Sequence, residues 1–441
     1  MKTPNSAEDR FDVAVIGGGP AGSTVAALLA EQGRRVVVFE KERHPRFHIG
    51  ESLLPKNLPI LERLGVADKI RTKAVRKPGA EFVSPDHETR QAFYFSDAMD
   101  PSPDHAYQVK RAQFDEVLLR NAGRKGAEVR EGRQVTDVAF EAGKSRLTVK
   151  AEEGTEVCEA RFVIDASGRD CFVARHGAGR KRDRSHNSAA MFAHFEGVSP
   201  EAWSTEGNIA IYMFDHGWVW MIPLADGVTS VGAVCMPDYL KTRRGPLDDF
   251  FFDTLALCPK VTDVMRDAKA VTPVRGAGNY SYRSQRAYGE GYLLLGDAYV
   301  FIDPIFSSGV FLAMSGAEQA AEAVNEALDH PSRAQSLFRR YQRSVDRGVQ
   351  RLSWFIYRFN TPAMRTLFMA PQNVLGVRNA VVSLLAGDIC RSGGFSWKLS
   401  IFKLIYFIAV LIDFRSNRLW ADRRRQLLSI SMPEDEMAAR P

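Results

Sequence analysis

Residues 11–55 read FDVAVIGGGPAGSTVAALLAEQGRRVVVFEKERHPRFHIGESLLP. Asp12 to Ile16 is a short apolar strand, Gly17, Gly19 and Gly22 follow at Gly-X-Gly-X-X-Gly spacing, and Ser23 to Gln32 carries a helical pattern. Each glycine has a separate mechanical task. Gly17 permits the tight turn, Gly19 lets a pyrophosphate approach backbone N–H groups at a positive helix end, and Gly22 lets the helix close on the strand. Arg35 to Phe39 forms a second strand, and Glu40 ends it about twenty residues past the turn, where an acid accepts ribose hydroxyls. With strand, turn, helix and acid all in order, the stretch predicts a Rossmann-like nucleotide-binding unit in an α/β chain.

The rest of the composition narrows the class. A chain of 441 residues holds one large or two to three ordinary domains with a full core, and 27 Phe with 6 Trp point to an aromatic-rich interior or pocket. Cys158, Cys171, Cys235, Cys258 and Cys390 are odd in number, scattered and never arranged as Cys-X-X-Cys, so neither a disulfide framework nor a zinc site is indicated. The polar start MKTPNSAEDR has no apolar signal region, which together with the cysteines predicts a cytoplasmic protein. The net charge of +6 is clustered: Arg180, Lys181, Arg182 and Arg184 in one loop, Arg339 to Arg351 along a helix, and Arg423 to Arg425 near the end. Such clusters are solvated faces or docking sites for an acidic partner. Without interleaved aromatics or a helix-turn-helix or zinc pattern, they do not indicate nucleic acid.

Along the chain, Asn57 to Leu64 is an amphipathic helix, and Lys73 to Phe82 is a loop punctuated by Pro78-Gly79 that leads into a strand. Gln108 to Asn121 reads as a helix with Arg111 near its start. Val129 to Ala160 reads as a meander leading to the strand Phe162 to Asp165. From His186 to Arg283 strand patterns dominate, fitting an antiparallel sheet able to roof a pocket. A second strand-turn-helix, Gly291 to Leu295, Gly296-Asp297-Ala298 and Phe311 to Leu328, makes the nucleotide domain discontinuous, and the chain from Arg333 is helical. The expected division is a nucleotide domain of residues 1–80, 105–185 and 286–330, a β-sheet substrate domain of 81–104 and 186–285, and a helical region of 331–441. Leu399 to Phe414 is very apolar, but it is short and carries Lys403. It reads as a packed or interfacial helix, not a stable membrane insertion.

Together GGGPAG, Glu40, GESLLP, Arg111, DASG and LLLGDA resemble the flavoprotein monooxygenase superfamily over most of the chain. The resemblance implies FAD, held by Gly17, Gly19, Ala21, Gly22, Glu40, Gly50 and Arg111, with Asp297 on the ribityl chain. Two further stretches resemble flavin-dependent halogenases of the phenol and pyrrole type, related to tryptophan halogenases. One is Gly217-Trp218-Val219-Trp220-Met221-Ile222-Pro223, which matches Trp-X-Trp-X-Ile-Pro; on a strand both indoles point to one face and can wall off a flavin, although a lone Trp-X-Trp would equally serve a sheet core. The other is Lys77 in RKPGA, similar to the lysine that the family places some way from the flavin; Lys56 and Lys69 are weaker rivals. What this implies is use of reduced FAD, oxygen and chloride or bromide. A flavin hydroperoxide gives hypohalous acid, which Lys77 directs at an electron-rich ring. Nearby Lys73 and Arg76, together with desolvation, are expected to lower the Lys77 pKa.

Phe306-Ser307-Ser308-Gly309 precedes a helix whose N–H groups suit an anion, and the matching family segment holds chloride at the positions of Ser308 and Gly309. Tryptophan halogenases carry glutamate where this chain has Phe306, so the pocket residue Phe306 argues against free tryptophan and for a phenol or pyrrole. The resemblance also implies a separate flavin reductase, since Gly276-Ala277-Gly278 lacks the context of a second dinucleotide site. The basic clusters slightly favour a carrier-protein-bound ring over a free one. The rival readings are an FAD-dependent aromatic hydroxylase and a non-catalytic FAD-binding protein. No metal is expected.

Overall fold

In the strand Arg10–Ile16 successive side chains enter different interiors. Val13 and Val15 pack with the helices, whereas Phe11, Ala14 and Ile16 pack with Val135, Leu147 and Val149 on the other side. A strand buried on both faces belongs inside a parallel sheet. In the computed structural model, which describes residues 10–100, 103–175, 179–371, 373–389 and 394–429, that sheet has the order Tyr288–Gly289, Tyr292–Leu294, Gly154–Asp165, Arg10–Ile16, Val36–Glu40, Glu128–Glu131. The four pairings from Tyr292–Leu294 to Glu128–Glu131 are parallel. Helices Pro20–Glu31, Arg111–Arg124 and Gly309–Asp329 pack together over one face, and the antiparallel strands Gln134–Glu141 and Lys144–Ala151 cover the other. Arg10–Ile16 lies between strands reached by opposite crossovers, so a crevice opens at the carboxyl ends of these strands, where open α/β sheets take ligands.

The second sheet runs Val300–Phe301, Arg275–Ser284, Arg180–Glu196, Val228–Cys235, Gly217–Pro223, Ile209–Phe214, Gly79–Val83, Arg90–Tyr94. It is antiparallel except where Ile209–Phe214 pairs parallel with Gly79–Val83. Its far face, with Val219, Met221 and Ala233, packs on Phe250 and Phe251 of helix Leu247–Ala256. Its near face, with Trp218, Trp220, Ile211 and Phe82, belongs to the same core as the nucleotide unit and the C-terminal helices. The class read from the sequence is therefore the observed one: a Rossmann-like unit, a largely antiparallel second sheet and a helical C-terminal region.

Local readings differ at three points. Lys73 to Phe82 is two strands, Ala74–Lys77 and Gly79–Val83, because Pro78 interrupts pairing without ending the extended path. Gln108 belongs to the strand Ala106–Val109, which pairs with Ala74–Lys77, and the helix begins at Arg111. The basic group at 180–184 begins the strand Arg180–Glu196 instead of forming a loop; its side chains, like Cys390 and residues 1–9, lie outside the described residues.

Candidate functional site

At the glycine turn the three glycines are not equivalent. Gly17 has φ +101°, a left-handed conformation that only glycine adopts freely, and a Cβ at Gly22 would collide with the Gly17 carbonyl oxygen. Gly19 is extended, and a Cβ there would meet only Arg46 Nη2, at 3.7 Å. Gly17 and Gly22 thus fasten turn to helix, while Gly19 leaves open the surface at the N-terminus of helix Pro20–Glu31, which also buries Ala21. Glu40 is buried and accepts the Gly18 N–H at 2.7 Å and the Glu42 N–H at 2.9 Å. Arg46, not singled out from the sequence, stands 3.8 Å from Glu40 and 3.3 Å from Asp115; its only signal was a cation a few residues past the acid.

Arg111 is committed to the protein. Nε and Nη2 donate to the Asp115 carboxylate at 2.8 and 3.0 Å, and Nη1 donates to the Ile49 carbonyl at 2.9 Å. It braces the bend at Gly50, whose φ is +104° and whose missing Cβ leaves room for the guanidinium. Asp297 follows the strand Tyr292–Leu294 at the mouth of the crevice, where loss of hydration pushes its carboxyl up to about 6. Among the described residues its carboxylate accepts no hydrogen bond, although its backbone carbonyl accepts from Tyr282 Oη at 2.9 Å. An open N–H cradle at Gly19, a fixed acid at Glu40 and an unpartnered carboxylate at Asp297 on one crevice are the donor and acceptor set that a dinucleotide flavin requires. The residues fit FAD.

Lys77 ends the strand Ala74–Lys77 with its side chain turned inward, 1% exposed. Nζ donates to Ser52 Oγ at 2.8 Å and to the Leu53 carbonyl at 2.9 Å, and it stands 5.3 Å from the centre of the Phe95 ring. Burial alone pushes its pKa down to about 7. The expected help from Lys73 and Arg76 is absent: Arg76 points away and pairs with Asp104 at 3.2 Å. The rivals are elsewhere. Lys56 faces Asp100, and Lys69 is exposed on the short helix Ala67–Arg71. Lys77 borders a small apolar pocket with Phe82, Ile211, Ile305 and Phe306. Phe306 stacks on Phe368, with ring centres 6.3 Å apart, so the site of the expected substrate contact is a wall of fixed aromatic rings.

Trp218 and Trp220 lie on one face of Gly217–Pro223, buried, with ring centres 5.9 Å apart. The Trp220 indole donates to Ser230 Oγ at 3.1 Å, and only a glycine at 232 leaves space for its ring. Ser308 stands at the N-cap position of helix Gly309–Asp329 without capping it, and its buried hydroxyl has no partner among the described residues. The preceding Ser307, at φ +56°, turns the chain into the helix start that Gly309 opens. An orphan donor beside free helix N–H groups is an anion-attracting arrangement. Also unsuspected from the sequence was the His194–Glu51 contact, 2.9 Å, which ties the GESLLP loop to the second sheet.

The model of the family described as tryptophan halogenase matches residues 12–102 and 96–366. A 1H-pyrrole-2-carbonyl-[peptidyl-carrier protein] chlorinase of Pseudomonas fluorescens is 32% identical over 86% of this chain and 89% of its own length. A tryptophan 2-halogenase of Chondromyces crocatus is 34% identical over 74% of this chain and 63% of its own. Among solved structures, the myxobacterial chondrochloren halogenase CndH, an FAD-dependent halogenase, superposes with a TM-score of 0.76 at 34% identity, covering 86% of this chain and 90% of that one.

Proposed function

Because the chain belongs to the tryptophan halogenase family of flavin-dependent halogenases, we propose that it chlorinates or brominates a phenol or pyrrole ring. We further propose that the ring arrives on a carrier protein and that a separate reductase delivers reduced FAD. The family establishes a halogenating enzyme of aromatic rings that uses FAD. Transfer of the halogen at this site rests on one observation above the rest, a fully buried lysine with its amine held by two acceptors at the edge of an aromatic pocket, and the choice of ring rests on Phe306 in the same pocket.

When bound, the reduced cofactor supplies, with oxygen, the two-electron oxidation of halide to hypohalous acid. The chain's residues account for the remainder. Gly17, Gly19, Ala21, Gly22, Glu40, Gly50 and Asp297 hold the cofactor, and Arg111 shapes the Gly50 bend against it. Ser308 and the Gly309 N–H seat the halide. Trp218 and Trp220 exclude the ring from direct attack at the flavin. The neutral Lys77 amine spends both N–H groups on Ser52 and Leu53. Its lone pair is then free to take the halogen, releasing water. The ring carbon takes that halogen from nitrogen and yields its proton, and the amine is restored. On the same reading the domains divide as 1–80 with 105–185 and 286–330, 81–104 with 186–285, and 331–441.

The test supplies matched free and carrier-tethered phenols and pyrroles, a flavin reductase, and chloride or bromide, with products read by mass spectrometry. Halogenated tethered rings, with no flavin bleaching by NADH alone, are the expected result. Only free rings halogenated would remove the carrier; a product heavier by one oxygen and insensitive to halide would make the enzyme a hydroxylase. Efficient chlorination of free tryptophan would overturn the reading of Phe306. Within the same assay, Ser308→Ala is expected to raise the KM for chloride by roughly tenfold, the value of about one hydrogen bond to a charged group. Its melting temperature should not fall, because the lost hydroxyl leaves no partner behind among the described residues. An unchanged chloride KM would take Ser308 out of the halide seat.

A further inference from the structure

The apolar segment near the C-terminus is a helix, Gly394–Ile412, with two unlike faces. Phe395, Leu399, Phe402 and Tyr406 are buried, and Phe402 and Tyr406 pack against Trp354. The opposite face is bare: Leu404 is 60% exposed, Leu411 70% and Ile412 82%. Over Phe395–Ile412 the mean hydropathy is 1.8, yet only 22% of the window is buried. A core helix of that hydropathy would be covered. Lys403, the charge that speaks against lipid in the sequence, is turned inward, with Nζ 5.2 Å from the Trp354 ring centre, and so leaves the outer stripe uninterrupted.

That stripe continues into cations. Asp413 N donates to Ala409 O and Asn417 N to Asp413 O, carrying the helical ladder into Phe414–Ser429. Trp397, Leu404, Ile408, Leu411, Arg415 and Arg418 follow one another at intervals of seven, four, three, four and three residues, a single line along the helix. Arg415 and Arg418 are exposed and pair with no acid among the described residues. From residue 394 to 429 the chain has seven Lys and Arg (398, 403, 415, 418, 423, 424, 425) and two Asp (413, 422).

We infer that this face rests on an anionic lipid surface, with the helix lying in the headgroup plane. An apolar stripe bounded by Trp at one end and by unpaired Arg at the other matches an interface where hydrocarbon and negative headgroups lie side by side. A second copy of the chain matches it less well. Two such stripes laid parallel set Arg415 and Arg418 against themselves, and laid antiparallel set them toward the Lys398 end, with only Asp413 and Asp422 to set against seven cations on each copy. The inner face argues against a span, since Phe395, Leu399, Phe402 and Tyr406 are already packed into the protein's own core.

Flotation of the full-length FAD-loaded protein with vesicles tests the inference. With phosphatidylcholine containing about one third phosphatidylglycerol, the protein should float, and with phosphatidylcholine alone much less. Leu404→Glu with Leu411→Glu should abolish flotation. Arg415→Gln with Arg418→Gln, which disturbs no apolar packing, should weaken it by roughly 30-fold on the anionic vesicles only. FAD content and melting temperature report whether each variant is folded. No flotation of the wild type, or equal flotation of the wild type and the glutamate variant, would overturn the lipid reading. So would a dimer in sedimentation equilibrium that the glutamate variant dissociates, or capture by an acidic carrier protein without vesicle binding; these would assign the face to a second copy or to the carrier.

Discussion

Lys77→Ala is expected to lower halogenated product by roughly 10²–10⁴-fold, a loss of the size seen for a positioned side chain that acts on the reacting atoms, while bound FAD and peroxide from supplied reduced flavin stay unchanged. The side chain is fully buried and, among the described residues, its nitrogen meets Ser52, Leu53 and the Phe95 ring, so its loss removes chemistry at one end of the pocket without reaching the glycine turn. Retained halogenation would take Lys77 out of its role, and peroxide lost together with product would place the damage at the cofactor. The pH dependence is a second readout. With the pKa near 7, the amine is the minor form at pH 6 and the major form at pH 8. Halogenation should therefore climb with pH, with its midpoint near 7, and level off once the amine is largely neutral, while peroxide formation stays flat. The same shift acts on stability with a definite sign. Between about 7 and the free-chain value of 10.5 the unfolded chain holds a proton that the native lysine does not. Stability rises with pH through that window, and below it the full cost of burying the charge is present. Lys77→Met should flatten the melting curve against pH between 7 and 10.5, most visibly by raising the midpoint at the low end.

What the sequence disclosed here was whatever depends on residues close together in the chain. The turn, its helix and Glu40 fall within one strand-helix-strand unit. The two indoles share a face because strand residues two apart must. What it did not disclose is carried by strand pairing. Ser52 reaches Lys77 because Ser52 bridges to Gln108, which lies in the strand paired with Ala74–Lys77. No pattern in RKPGA hints at that acceptor. For the same reason the lowered pKa was attributed to neighbouring cations in the sequence, whereas adjacent residues on a strand point to opposite sides and Arg76 faces solvent. Arg111 shows the converse. Its position at the start of a helix was legible, but not that Asp115, one turn on, and the Ile49 carbonyl would take up its donors. The hydropathy of the late helix was evident, while which face carried Lys403 depended on Trp354, about fifty residues away.

Gly19→Ala and Gly22→Ala are expected to separate cofactor binding from folding at adjacent ends of one turn. Gly22 lies in the first turn of helix Pro20–Glu31, where alanine is intrinsically preferred by about 1 kcal/mol. Against that, its Cβ would occupy the place of the Gly17 carbonyl oxygen, with Val15 Cγ1 at 3.2 Å behind it. No side-chain rotation relieves a clash with backbone, so the helix must move off the strand, and overpacking of this kind costs about 1–3 kcal/mol. The clash wins: Gly22→Ala should lower the melting temperature of the apoprotein and yield protein that purifies nearly free of FAD. At Gly19 the backbone is already extended and the space is open, so alanine brings neither strain nor collision within the protein. The apoprotein should melt within about 0.5 kcal/mol of the wild type. The added methyl group instead stands on the surface where a pyrophosphate must meet the helix N–H groups, and FAD affinity should fall by roughly tenfold or more. Fluorescence titration with FAD and thermal melts of both apoproteins read the two effects apart. Unchanged affinity in Gly19→Ala would mean that the pyrophosphate does not approach there, and the assignment of this turn to the cofactor would fall with it.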